Sequence, residues 1–374
     1  MHVLKGEGVA IVYISHRMPE VMAVADRVSV LKDGRKLWTR PREGLEVGDI
    51  VRAMVGRDLK DFYPAPPAAR PGGLRRGGRG DMIGKLKGMF APAPPKAGGR
   101  RSGVDVQRRF HIQLDVSSIS SQGSMSRVYK AADSESGKTV CLKVLDRGKN
   151  EHAHARASRH EERPSEGAIA VQVRHPHVVR TFEHGTTSRG EEYLVMEYIH
   201  GLSFEAVYQQ NLGKTDQRMQ WLAQAAESLA AVHAAGFIHH DVNPRNFLID
   251  RGRDLQAKVI DLGPTVPNAP ALRKPGNRTG CLLYMAPELM RREPIDESID
   301  VYGFGVVAFQ VLTGKLPYDV AASPNALLQR FRNPPTDPQA LKPKLSDEVR
   351  DVLLKLVAVD RRDRWPSMAT LVDH

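Results

Sequence analysis

Cysteine is almost absent from this chain. Two residues in 374, Cys141 and Cys281, exclude a disulfide framework and a cysteine-rich zinc site. Long apolar runs are missing too: no stretch approaches the roughly 20 residues that a membrane-spanning helix requires, and the N-terminus lacks the basic-then-apolar build of a secretory signal. No G-x-x-x-x-G-K-[ST] loop occurs anywhere, which excludes an intact P-loop ATPase. What is there is an ordinary globular composition, 41% apolar and 26% charged, in a chain long enough for more than one unit. A cytoplasmic, reducing setting is expected.

The net charge of +12 invites a nucleic-acid or membrane partner, so its distribution matters. Residues 1–64 carry 11 basic and 9 acidic side chains, residues 65–109 carry 11 and 2, and residues 110–374 carry 33 and 32. The excess lies where Arg70, Arg75, Arg76, Arg79, Lys85, Lys87, Lys96, Arg100 and Arg101 alternate with prolines and glycines. Such a composition buries too little apolar surface to fold. Residues 65–109 are therefore expected to be a disordered, solvated linker with no specific nucleic-acid partner, touching acidic surfaces only adventitiously.

Beyond the linker, Phe110, Ile112, Leu114 and Val116 alternate as in a strand, and Thr139–Leu145 predicts another. Thr215 is placed as the N-cap of a helix running to Gly236, and 296–312, 347–357 and 367–372 also read as helices. A strand-rich part followed by a helix-rich part argues an α+β domain.

Short motifs punctuate this part in order. Ser121-Gln122-Gly123-Ser124-Met125-Ser126-Arg127-Val128 separates two predicted strands, and Val140-Cys141-Leu142-Lys143 ends the next motif. His239-His240-Asp241-Val242-Asn243-Pro244-Arg245-Asn246 follows the long helix, then Val259-Ile260-Asp261-Leu262-Gly263, Tyr284-Met285-Ala286-Pro287-Glu288, Asp300-Val301-Tyr302-Gly303 and Arg364. Any one could arise by chance. Their order and spacing resemble the protein kinase domain, of the bacterial serine/threonine type.

The resemblance implies a two-lobed fold over residues 110–374, with a β-rich N-lobe (110–197) and a helical C-lobe (201–374), using ATP and Mg²⁺ to phosphorylate a protein hydroxyl. It assigns Asp241 as catalytic base, Asn246 and Asp261 as magnesium ligands, and Lys143 as the lysine on the ATP phosphates. Glu166 has the spacing of the lysine's helix partner, with Glu161 and Glu162 nearby. Ser121, Gly123, Ser126, Val128, Cys141, Met196, Glu197, Ile199 and Leu248 would surround the nucleotide, Met196 as gatekeeper and 197–199 as the adenine-binding backbone edge. Glu288, Asp300 and Arg364 would be architectural.

Departures from the family pattern qualify the chemistry. Asn243 stands where serine/threonine kinases carry a lysine, and Arg245 stands where tyrosine kinases carry an arginine able to stabilise the same developing charge. His240 replaces an arginine that grips a phosphorylated activation loop, so weak dependence on loop phosphorylation is expected. Cys281 replaces a threonine that contacts the catalytic loop. Two readings follow: an active serine/threonine kinase, or a pseudokinase acting as an ATP- or protein-binding module.

In residues 1–64, Gly8–Arg17, Ala25–Gly34 and Met54–Arg57 resemble the end of a sugar-import ABC transporter ATPase, with His16 on its switch histidine. This implies a detached C-terminal fragment whose strand edges would be poorly protected. Met82, inside the linker, offers an alternative start for the kinase-like part.

Overall fold

The computed structural model describes residues 22, 25–32, 35–45, 49–50, 53, 99–116, 126–145, 164–252, 254–270, 281–319 and 328–374. The chain divides into two compact units, Met1–Ala91 and Pro92–His374. In the first, β1 (Arg27–Lys32) pairs antiparallel with β2 (Arg35–Pro41). Alternation along β1 turns Val28 and Val30 inward, where Leu45 and Ile50 complete a small core. Residues 8–17 and 54–57, which carry much of the transporter resemblance, lie outside the described residues, as does Met82.

The second unit opens with β3 (Gly99–Val104), a short helix α1 (Val106–Arg109) and β4 (Phe110–Asp115). Eleven residues assigned to the expected linker, 99–109, belong instead to this unit, as a strand of the sheet and a short helix. Composition could not reveal this, because Arg101 and Arg109 find carboxylates only in the folded sheet. Next come β5 (Ser126–Asp133), β6 (Thr139–Leu145), helix α2 (Glu166–Ala170), β7 (Thr181–Thr187) and β8 (Glu192–Glu197). Their sheet order is β3-β7-β8-β6-β5-β4, antiparallel throughout except for the β3–β7 pair.

Strand β6 shows how the sequence sorts itself across this sheet. Val140, Leu142 and Val144 point into a core shared with Phe110, Ala131, Tyr193 and Val195. The period of two sends Cys141, Lys143 and Leu145 to the opposite face. There Leu145 joins the large core built with Ile169, Leu194 and Met196.

The helical part contains β9 (Gly201–Ser203), α3 (Phe204–Gln209), α4 (Thr215–Ala234), β10 (Phe237–Ile238), β11 (Phe247–Asp250), β12 (Gln256–Val259), β13 (Val266–Pro267), α5 (Pro287–Met290), α6 (Ser298–Thr313), α7 (Pro338–Leu341), α8 (Asp347–Leu356) and α9 (Met368–Val372). The N-cap of α4 is Lys214, without a side-chain capping bond, and Thr215 is the first helical residue. The expected cap is one residue late. By contrast, Ser367 forms a capping box with Thr370. Every residue of α6 from Ile299 to Thr313 is buried, as an apolar helix without a polar face must be.

One ion pair locks this part. Arg364 donates to both oxygens of Glu288, at 2.6 and 2.8 Å, and to the carbonyls of Ala358, Val359 and Ser298. A guanidinium suits this fork of acceptors better than an ammonium. Replacing Arg364 with Met leaves the Glu288 carboxylate buried without its cation, so the expected loss is about 3–5 kcal/mol of unfolding free energy. Urea denaturation of Arg364→Met beside wild type measures it.

Candidate active site

Lys143 sits opposite Val128 of β5 and Leu194 of β8. Its Nζ donates to Glu166 Oε1 at 2.7 Å and to Asp261 Oδ1 at 2.8 Å. Burial opposes the lysine's charge, but the Asp261 and Glu166 carboxylates outweigh it and raise its pKa. For Asp261 burial works upward, and Lys143 overcomes it so that the pKa falls; for Glu166 burial prevails over Lys143 and the pKa rises. Asp261 Oδ1 also accepts the Gly263 amide at 3.0 Å.

Glu166 reaches the lysine because its helix starts where it does. Pro164 precedes the helix, Ser165 caps it through a bond from the Ala168 amide, and Glu166 is its first residue. Gly167 looks like a poor helix former, but a Cβ there would overlap the Cβ of His184. Helix α2 and strand β7 approach too closely for any other residue. Glu161 and Glu162 lie outside the described residues.

The loop after β10 is organised from below by Asp300, which is 1% exposed. Its carboxylate accepts the amides of His239 at 2.6 Å and His240 at 2.9 Å, and lies 2.9 Å from His233 Nε2. His240 adopts a left-handed φ of 71°, a conformation that costs about 1–3 kcal/mol and persists only when its surroundings over-determine it. The two amide bonds to Asp300 do so. Burial works against the Asp300 charge, yet its bond with His233 and the neighbouring donors lower its pKa.

Asp241 emerges from this turn half-buried. Its Oδ1 accepts the Cys281 amide at 3.1 Å, and its Oδ2 lies 3.3 Å from Asn246 Nδ2. Asn246 Nδ2 also donates to the Asp241 carbonyl at 2.8 Å. With its amide nitrogen committed, Asn246 has Oδ1 for a cation; together with Asp261 this supplies hard oxygen donors suited to Mg²⁺. Among the described residues no group of three or more His, Cys, Asp or Glu forms a metal cluster.

Asn243 is buried; its Nδ2 donates to the Asp241 carbonyl at 3.1 Å and its Oδ1 accepts the Arg245 amide at 3.0 Å. It is a loop-closing residue. The Arg245 guanidinium points to α3, with Nε 3.1 Å from both oxygens of Glu205. Cys281 meets the loop through its backbone amide; the residue as a whole is exposed, while desolvation of its thiol raises the pKa. Cys141 lies opposite Met196, its thiol pushed up to about 11 by burial.

Of the nucleotide-site residues expected from sequence, Ser121 and Gly123 lie outside the described residues. Ser126 and Val128 begin β5, Met196 and Glu197 end β8, Ile199 is buried just after it, and Leu248 sits half-buried on β11. Glu197 turns its carboxylate away to accept from Lys258 Nζ at 2.5 Å and from the Arg180 amide at 2.9 Å. Lys258, 3% exposed, is a residue that sequence reasoning missed. Its signal was a charge inside the apolar run Ala257-Lys258-Val259-Ile260.

A lysine tethered to a helix carboxylate, an aspartate on an anchored loop and an Asn/Asp pair of hard oxygen donors form the arrangement of a kinase-type phosphotransferase site. The protein kinase domain family matches residues 117–374, and the chain belongs to that family. It is 31% identical to the serine/threonine-protein kinase pkn2 of Myxococcus xanthus over 71% of this chain and 32% of that protein. It is 29% identical to the serine/threonine-protein kinase PknB of Mycobacterium tuberculosis over 69% of this chain and 42% of the relative. Pkn3 of Myxococcus xanthus matches at 26% identity over 69% of this chain and 48% of its own length. The chain thus spans less than half the length of these relatives. No described helix is long and apolar enough to cross a membrane.

The buried Lys258–Glu197 pair generates a prediction. Lys258→Met leaves the buried Glu197 carboxylate without its cation at the end of β8, at an expected cost of about 3–5 kcal/mol in stability. Chemical denaturation measures the loss, and equilibrium titration with ATP is expected to show weakened binding.

Proposed function

We propose that the chain is an active serine/threonine protein kinase that moves the γ-phosphate of MgATP onto a hydroxyl of a protein substrate. The observation that carries this reading is the bonding of Lys143 to both Glu166 and Asp261, which brings the phosphate-binding and metal-binding residues into one constellation. Lys143 would hold the α- and β-phosphates, and Asn246 and Asp261 would hold Mg²⁺, which when bound neutralises charge on the β- and γ-phosphate oxygens. Asp241 orients the substrate hydroxyl and accepts its proton. Asp241 lines a small concavity with Val242, Cys281 and Tyr284. By the family resemblance Ser121, Gly123, Ser126 and Val128 would cover the phosphates, Cys141, Met196, Ile199 and Leu248 would enclose the adenine, and the 197–199 backbone edge would bind it.

Arg245 supplies the positive charge that Asn243 lacks. Its bond to Glu205 lies at the surface, with the arginine side chain 62% exposed, so exchanging it for a phosphoryl oxygen costs little. The second reading, a nucleotide-binding pseudokinase, is favoured by one observation: the Asn243 side chain is spent on the loop backbone.

Within the same proposal, residues 1–64 are a remnant of an ABC ATPase tail, and the catalytic domain sits in the cytoplasm. The basic residues before position 99 form a tether that meets acidic surfaces only adventitiously.

Incubation with labelled MgATP and a generic protein substrate decides between kinase and pseudokinase. Asp241→Asn and Lys143→Met are expected to lose at least about a hundredfold in rate, and label should appear on serine or threonine. Equal transfer by wild type and Asp241→Asn would reject the kinase reading. Arg245→Ala is expected to lower kcat about tenfold or more; full activity in Arg245→Ala would remove Arg245 from the mechanism.

A further inference from the structure

Residues 99–109 precede the family match, yet they complete a buried charge cluster on the far side of the sheet. Arg109, 9% exposed, donates to Asp133 at 2.9 and 3.2 Å and to Glu183 Oε1 at 2.7 Å. Tyr193 donates its hydroxyl to the same Glu183 oxygen at 2.5 Å. Arg101 lies 3.2 Å from Glu183 Oε2 and 2.7 Å from Glu135. Glu183, on β7, is thus a buried carboxylate whose two cationic partners both come from the added segment. Without them its burial is strongly unfavourable.

Backbone geometry is matched to this addition. Strand β3 pairs parallel with β7, Arg101 beside Gly185 and Val104 beside Thr187. A Cβ on Gly185 would overlap the Arg101 carbonyl oxygen. Only glycine permits the approach.

Strand β7 also supports α2, through the contact of Gly167 with His184. With five residues, α2 is too short to hold itself together in water and depends on what it packs against. It carries Glu166, the partner of Lys143.

We propose that Arg101 and Arg109 are positioning residues: by holding Glu183 they fix the edge of β7, and β7 fixes the helix that presents Glu166 to Lys143. Segment 99–109 is then a built-in part of the catalytic unit. The inference rests on the kinase reading for the role of Lys143.

Two variants of the full-length chain test it. Gly185→Ala pushes β3 away by steric clash, and Arg101→Glu repels it from an exposed position that leaves the core untouched. Hydrogen exchange is followed at residues 99–104, at 166–171 and in α6, and equilibrium affinities are measured for ATP and for adenosine. Both variants are expected to exchange faster at 99–104 and at 166–171, with α6 unchanged. ATP affinity should fall about fivefold or more while adenosine affinity holds, because Lys143 serves the phosphates alone. Faster exchange at 99–104 with 166–171 and the ATP-to-adenosine ratio as in wild type would overturn the proposal. Equal losses for both ligands would assign the segment to stability alone and overturn it as well. Unchanged exchange at 99–104 in both variants would show that these contacts do not hold β3, and the proposal would fall with them. None of these measurements requires turnover, so a chain that transfers no phosphate defeats the kinase reading while this one is still decided.

Discussion

The contact of Lys143 with Glu166 and Asp261 is the interaction on which the rest of the site depends. The ammonium comes from the middle of the sheet, one carboxylate from a five-residue helix and the other from the segment after β12. Charged groups removed from water this far are tolerated only as partners. Two carboxylates share one ammonium here, the lysine lowering the pKa of Asp261 while burial raises that of Glu166.

Elsewhere the same device recurs. Asp300 gathers two loop amides and forces His240 into a left-handed turn that aims Asp241. Glu197 is held at the end of β8 by Lys258 and the Arg180 amide. Glu288 is held by Arg364, and Glu183 by Arg101 and Arg109. Each is a buried carboxylate with at least two donors, which is the condition under which a buried charge rigidifies its surroundings rather than destabilising them. Functional segments in this domain are positioned by such anchors more than by apolar packing alone.

The elements legible in the sequence are those with a local cause. Alternation made β4 and β6 visible, helical periodicity made α4 and α6 visible, and the catalytic loop was legible because its residues are contiguous. Thr215 was misplaced as a cap because capping is a local preference that Lys214 overrides without a side-chain bond. Gly167 argued against a helix at Glu166, because its reason for being glycine lies on β7. Segment 99–109 read as linker because its arginines neutralise carboxylates more than twenty residues away.

By itself, then, the sequence determined the family and the elements with a local cause: the strands at 110–115 and 139–145, the long helices α4 and α6, and the order of the motifs between them. Those follow from residue type, period and spacing, all of which are properties of neighbours along the chain. Tertiary structure alone decided that Asn243 closes a loop, that Arg245 rests on Glu205, that Lys258 stands behind Glu197 and that β3 belongs to the sheet. Each of those depends on the distance between groups far apart in sequence, and charge pairing over such separations leaves no mark on the local pattern.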